Sequence, residues 1–199
     1  RFPIEQMSHG SRIAPKGFTH VHHFYLPRAR HAIAGLWRLA LAEPNERVRK
    51  MLLFAVEQTI WSFSVLNRYR PTAFSQFGQY LNGVYYIASQ TAECSPWYSL
   101  EGKFSRLVSA FRSFNPKGRE IFVSVGTAAS LPVPTATVDY IFTDPPFGEN
   151  IYYADLNFLV EAWHGVITAA VAEAIVDSRK KKDLPWYEGA MQACFAEYF

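Results

Sequence analysis

The sequence is poor in the residues that build cross-linked or metal-bound folds. Only two cysteines, Cys94 and Cys194, occur in 199 residues, and they form no Cys-x-x-Cys pair. This spacing implies neither a disulfide nor a cysteine zinc site and predicts free thiols in a reducing compartment. No apolar run reaches the roughly eighteen residues of a membrane-spanning helix, and no signal peptide is visible. We therefore expect a cytoplasmic protein without a membrane partner.

The spacing of the glycines and the net charge also bear on which ligands the chain could bind. The eleven glycines never fall two residues apart, so the chain contains no Gly-x-Gly turn of the kind that cradles a cofactor phosphate or a nucleoside. The formal net charge is +3, which permits a polyanionic partner without requiring one. The chain begins at Arg1 rather than Met and ends at Phe199 within a predicted helix. We therefore expect it to be an excerpt of a longer polypeptide.

Two clusters of basic side chains have competing interpretations. His20, His22 and His23 have the spacing of a metal site but no acidic or cysteine partner nearby, so ordinary strand or loop histidines are favoured. The run at 179–182 is the one dense group of cations. Contact with nucleic-acid phosphates is one interpretation of this run, and a solvated linker is the favoured one.

Residues 1–115 are predicted to be mainly helical, and they are a candidate insertion or DNA-recognition part. Helices are expected from Pro27 to about residue 42, from Asn45 to about residue 66 and from Ser95 to about residue 114. The last of these has an apolar stripe that should face inward, formed by Leu100, Phe104, Leu107, Val108 and Phe111. A short strand is expected at 84–87 and a loop at 70–80.

Residues 116–199 are predicted to form an α/β catalytic segment. The apolar runs at 121–125 and 138–142 are typical of buried strands. A helix is expected from about Asp155, and Pro185 should open a last helix. A strand, a loop, a second strand and then a helix fit part of a parallel α/β sheet.

The central motif is Asp144-Pro145-Pro146-Phe147, at the end of the predicted strand 138–142. The carboxyl ends of strands in open α/β sheets are where ligands bind. Since proline makes up about 5% of an average protein, Asp-Pro-Pro-aromatic arises by chance in well under about 1% of chains of this length. The alternative is a turn that merely ends a strand.

The residue types of this motif suit chemistry on an exocyclic amino group of a nucleobase. Such a nitrogen is a poor nucleophile until two acceptors on its protons draw it toward tetrahedral geometry. The Asp144 carboxylate and the Pro145 carbonyl are two such acceptors, and Pro146 restricts Pro145 to extended conformations. Phe147 would stack on a base that has left the duplex.

The stretch from Val138 to Asn150 resembles the catalytic motif of amino-directed DNA methyltransferases. Its continuation to Leu159 and the earlier region from Phe24 to Trp37 resemble the large adenine-specific DNA methylases that have an N-terminal domain of unknown function. The resemblance implies a Rossmann-like fold with a helical insertion, S-adenosylmethionine as cofactor and DNA as partner. It places Asp144, Pro145 and Phe147 at the target base.

The sequence lacks the motif that binds the methyl donor in such enzymes. The glycine-rich donor loop is not in this sequence, and Thr127 stands near a position where many relatives have an acidic residue. The main hypothesis is therefore an adenine N6 methyltransferase fragment, with cytosine N4 as the less favoured target. A nucleic-acid-binding fragment without a donor site and a plain structural α/β protein are the alternatives.

Overall fold

A computed structural model of the chain describes residues 2–7, 13–76, 84–114, 120–149 and 151–199. These residues form five α-helices and one two-stranded antiparallel sheet, a mixed α/β composition in which helix dominates. The helices are α1 Pro27–Leu41, α2 Glu46–Glu57, α3 Pro96–Ser113, α4 Tyr153–His164 and α5 Leu184–Tyr198, and the strands are β1 Arg68–Arg70 and β2 Phe74–Gln76. None of the helices in the described ranges is both long and apolar enough to cross a membrane.

The chain divides into two compact units. The first contains Arg1–Phe114 and Tyr153–Ala170, and the second contains Asn115–Tyr152 and Val171–Phe199. The first unit therefore holds α1 to α4 and the sheet, and the second holds α5 and the Asp-Pro-Pro-Phe motif. The division of the chain at residue 115 into a helical region and a catalytic segment stays a prediction.

Four helices begin where proline or a capping residue predicts. Pro27, Pro96 and Pro185 each lie in the first turn of a helix, where the missing N–H costs nothing. Asn45 caps α2, because its side chain accepts a hydrogen bond from the Val48 N–H at 3.1 Å. In the first unit, α1 packs against α2 and buries the face that carries Ala29, Ile33, Trp37 and Ala40.

The prediction that the second helix runs to residue 66 is wrong, since α2 ends at Glu57. Beyond it, three hydroxyl groups bond to carbonyls three residues earlier: Thr59 to Val56, Ser62 to Thr59 and Ser64 to Trp61. Such local side-chain bonds give the backbone an alternative to the helix. The segment therefore continues as a series of turns, although it keeps Ile60 and Phe63 buried.

The strand predicted at 84–87 and the loop predicted at 70–80 are also corrected. Val84 and Tyr85 have φ angles of 55° and 57°, which place both residues in a turn. β2 lies within the predicted loop and β1 ends at its first residue, Arg70, and the two strands pair across a three-residue turn. Residues 77–80 of that loop lie outside the described residues.

The apolar stripe of α3 does not lie inward as predicted. Of its five members, Leu100 is buried, whereas Phe104, Val108 and Phe111 are exposed. The stripe faces a groove of about 360 Å³ that it shares with Val48 and Met51 of α2. The stripes of the two helices meet, but they leave this part of their apolar surface open.

The strands predicted at 121–125 and 138–142 are not formed. Both segments have no regular secondary structure, and their apolar side chains are exposed, Val125 to 99%. A strand is stable only when a neighbour completes its hydrogen-bond ladder. The one sheet within the described ranges is the β1–β2 pair, so neither segment has such a neighbour there.

The core of the first unit is built around buried rings. Phe24 and Tyr85 are fully buried with ring centroids 5.2 Å apart, and Trp37 of α1 lies 5.2 Å from Trp163 of α4. The Tyr85 hydroxyl donates a hydrogen bond of 2.7 Å to the Leu156 carbonyl in α4. Burial raises the pKa of Tyr85 well above its usual range, so this hydroxyl stays a donor.

We predict that Tyr85→Phe lowers the free energy of unfolding by about 1–2 kcal/mol, because the buried Leu156 carbonyl loses its side-chain donor. The matched control is Tyr98→Phe, whose ring is 63% exposed and which should leave stability unchanged. Urea unfolding followed by circular dichroism measures both effects. Equal midpoints for the two variants would contradict the assignment.

Candidate functional site

The Asp-Pro-Pro-Phe motif borders a pocket in the second unit. Asp144, Pro145 and Pro146 all line this pocket, whose volume is about 360 Å³. Phe147 does not line it, and its ring is 61% exposed. The structure therefore brings three of the four predicted site residues to one cavity and leaves the fourth at the surface beside them.

Helix α5 forms one wall of the pocket. Asp183 caps the helix by accepting a hydrogen bond from the Trp186 N–H at 3.0 Å. The wall consists of residues at the i, i+3, i+4 and i+7 positions of one helix face, namely Met191, Cys194, Phe195 and Tyr198. Their spacing in the sequence is the one signal that would have found this wall in advance.

The motif loop is held by backbone contacts rather than by a sheet. The Tyr187 hydroxyl of α5 donates a hydrogen bond of 2.6 Å to the Pro146 carbonyl. On the far side of the motif, the Val176 N–H donates to the Gly148 carbonyl at 3.4 Å. A second pocket loop is held in the same way, because the Leu131 N–H donates to the Glu197 carboxylate at 2.8 Å.

The two acceptors that the chemistry requires are both available. Within the part of the chain that the structure describes, neither the Asp144 carboxylate nor the Pro145 carbonyl has a hydrogen-bond partner. The next carbonyl along, that of Pro146, is occupied by Tyr187. The loop thus has one carbonyl bound to the scaffold and an adjacent carbonyl and carboxylate free to accept from a ligand.

The basic run next to α5 is largely engaged within the unit. Lys180 forms an ion pair of 3.4 Å with Glu173, in which both side chains are less than one-tenth exposed. The Lys182 ammonium donates to the Glu173 carbonyl and lies 5.1 Å from the centre of the Trp186 ring. Burial lowers the pKa of Lys182. The favoured solvated linker is therefore wrong for these two lysines, and they are poorly placed to reach phosphates.

The residues around the pocket do not fit the methyl donor that the resemblance implies. S-adenosylmethionine presents a carboxylate, an ammonium group and ribose hydroxyls, which need charged partners and close backbone approach. Among the described residues that line the pocket, Asp144 is the one charged residue, and none is a glycine. Thr127 lines the pocket but carries no charge, and its hydroxyl already accepts from the Ala129 N–H.

The histidine cluster offers no metal centre. The rings of His22 and His23 lie 4.4 Å apart, and burial together with the neighbouring histidines lowers the pKa of His22. Across the described ranges, no group of three or more histidine, cysteine or acidic side chains has the geometry to hold a metal ion. Cys94 and Cys194 are both free thiols.

No protein-family model, curated protein or solved structure matches this chain. The resemblance to amino-directed methyltransferases therefore rests on the motif and its flanking residues, and it stays a prediction. Tyr187 was not found from the sequence, because a hydroxyl that bonds to a carbonyl 41 residues away leaves no local pattern.

Gly148 ends the motif with a φ angle of +67°, a conformation that side chains disfavour. We predict that Gly148→Ala lowers the free energy of unfolding by about 1–2 kcal/mol through backbone strain. Its nearest contact would be Val176 at 3.9 Å, so crowding adds nothing. The matched control, Gly189→Ala within α5, should instead raise stability by about 0.5–1 kcal/mol. Chemical denaturation checks both signs, and a shift in the same direction for both variants would be contrary to this account.

Proposed function

We propose that this chain carries the target-base part of an amino-directed DNA methyltransferase, with the adenine N6 amino group as the favoured target and cytosine N4 as the second. One observation supports this most directly. Asp144 and Pro145 line the same pocket, and both of their acceptor groups are free while the neighbouring Pro146 carbonyl is not. A strand-ending turn has no need of this selective arrangement.

The proposed chemistry uses the two acceptors together. The two N–H bonds of the amino group would donate to the Asp144 carboxylate and the Pro145 carbonyl. These bonds would draw the nitrogen toward tetrahedral geometry, so that its lone pair points at the methyl group to be transferred. Pro146 keeps the preceding backbone extended and provides no N–H that would compete for the carboxylate. Alignment and polarisation, rather than proton removal by a strong base, would lower the barrier.

Phe147 would supply the stacking surface for the base. Its ring is exposed beside the pocket, where a nucleotide extruded from the duplex or present in a single strand can reach it. A ring that only filled a core would be covered instead. DNA is therefore the proposed partner, in a Rossmann-like methyltransferase acting in the cytoplasm with S-adenosylmethionine as donor. Because the pocket residues do not fit that donor, other residues would have to bind it.

The second candidate is a nucleic-acid-binding fragment without a donor site. It is favoured by the same pocket, whose described lining residues include one charged residue, Asp144, and no cationic side chain that could meet the donor carboxylate. Isothermal calorimetry with S-adenosylmethionine separates the candidates. Saturable binding by this chain contradicts the donor-less fragment, and no binding contradicts a self-sufficient enzyme.

Where the calorimetry shows that this chain binds S-adenosylmethionine, we predict that Asp144→Asn reduces methyl transfer to DNA by at least about a hundredfold, because a neutral amide holds the amino group less strongly as charge develops. DNA affinity should fall by no more than about fivefold, because the amide oxygen that replaces the carboxylate can still accept a hydrogen bond. The matched control is Asp139→Asn, an exposed acid five residues earlier. Transfer of labelled methyl groups and DNA binding are measured side by side. Methyl transfer by Asp144→Asn at the wild-type rate would contradict the proposed role of Asp144 as an acceptor for the amino group.

We predict that Phe147→Ala weakens binding of a short single-stranded oligonucleotide by about 1–3 kcal/mol, the value of one base stacked on an aromatic ring. Phe142→Ala is the matched control, since this ring is 84% exposed but precedes the motif. Fluorescence anisotropy with a labelled oligonucleotide gives both affinities. An equal loss for the two variants would show that binding is nonspecific contact with exposed rings.

A further inference from the structure

We infer that Tyr187 is a positioning residue for the motif loop, residues 144–147, and that it acts through the Pro146 carbonyl. This role rests on the proposed function. Tyr187 lies in the first turn of α5, and its hydroxyl donates the 2.6 Å hydrogen bond to that carbonyl. The contact links a regular helix to a loop without regular structure. No other side chain in the described ranges donates a hydrogen bond to a backbone carbonyl of the four motif residues.

The bonded carbonyl belongs to the peptide that joins Pro146 to Phe147. Because peptide units are planar, holding this oxygen fixes the plane of the unit and the direction in which the Phe147 backbone leaves it. On the other side, the ring of Pro146 locks its own φ angle near −65°, so ψ of Pro146 is the one soft dihedral between this plane and the Pro145 carbonyl. One hydrogen bond therefore restrains the backbone that carries both the stacking ring of Phe147 and the unbonded Pro145 carbonyl.

The hydroxyl is not needed to hold α5 in place. The start of the helix is fixed separately by the Asp183 cap, and the Tyr187 N–H donates to the Asp183 carbonyl at 3.2 Å. Trp186 adds contacts to Lys182 and to the Glu173 carbonyl. Removing the hydroxyl alone should leave the helix intact and release the loop, which separates a positioning role from a structural one.

The test compares Tyr187→Phe with Tyr140→Phe, whose ring is 80% exposed and whose hydroxyl has no partner in the described part of the chain. A fluorine-labelled phenylalanine at position 147 reports on the loop by nuclear magnetic resonance. Circular dichroism reports on the helix. A single-stranded oligonucleotide that carries one adenine next to one 2-aminopurine, whose fluorescence changes when the adenine leaves the stack, reports on adenine binding without requiring a methyl donor.

We expect Tyr187→Phe to shift or broaden the fluorine resonance, to keep the helical signal and to bind the 2-aminopurine oligonucleotide about fivefold more weakly, as the loss of one hydrogen bond implies. Tyr140→Phe should match the wild type in all three. An unchanged fluorine resonance in Tyr187→Phe overturns the inference, and so does loss of helical signal, which would make the role structural. A changed resonance in a protein that binds no oligonucleotide supports the Tyr187 anchor and refutes the proposed function.

Discussion

A loop with no regular structure keeps a defined shape only where fixed groups contact it, and here α5 provides those contacts. Its Tyr187 hydroxyl binds the carbonyl of Pro146, and its Glu197 carboxylate binds the N–H of Leu131. Both bonded groups belong to loops that line the pocket. The helix thus does for this site what the edge of a parallel sheet does in open α/β folds, where strand ends hold the ligand-binding loops.

These contacts occupy one carbonyl of the motif and leave two acceptors of the motif without a hydrogen bond. A backbone carbonyl that is bound to the scaffold has one lone pair fewer for a ligand, whereas its unbonded neighbour has both. The Pro146 carbonyl is bound, and the Pro145 carbonyl and the Asp144 carboxylate are not. Consecutive prolines make this division stable, because neither contributes an N–H that would turn toward the acceptors.

The sequence predicted best the features whose causes are local. A first-turn proline and an apolar stripe each lie within one helix, so the predicted starts of α1, α3 and α5 agree with the structure. The strands predicted at 121–125 and 138–142 were wrong, because a strand depends on a neighbouring strand elsewhere in the chain. An apolar run does not reveal whether that neighbour is present. The early end of α2 had a local cause that was overlooked, the hydroxyls of Thr59, Ser62 and Ser64.

The site itself divides in the same way. Asp144, Pro145, Pro146 and Phe147 were identified from their residue types and order, and three of them meet at one pocket. The partner of the loop, Tyr187, was invisible because its contact is long-range. The absence of a Gly-x-Gly turn can be read directly from the sequence, and the binding of the methyl donor stays a prediction.

The central claim is that Asp144 and Pro145 grip an exocyclic amino group. The most direct measurement compares two single-stranded oligonucleotides that differ at one base, adenine in one and purine, which lacks the amino group, in the other. If both acceptors are used, the adenine oligonucleotide should bind about twenty-five-fold more tightly, because two hydrogen bonds to the base, each worth about 1 kcal/mol, are lost in the other. Equal affinity for the two oligonucleotides would contradict the account.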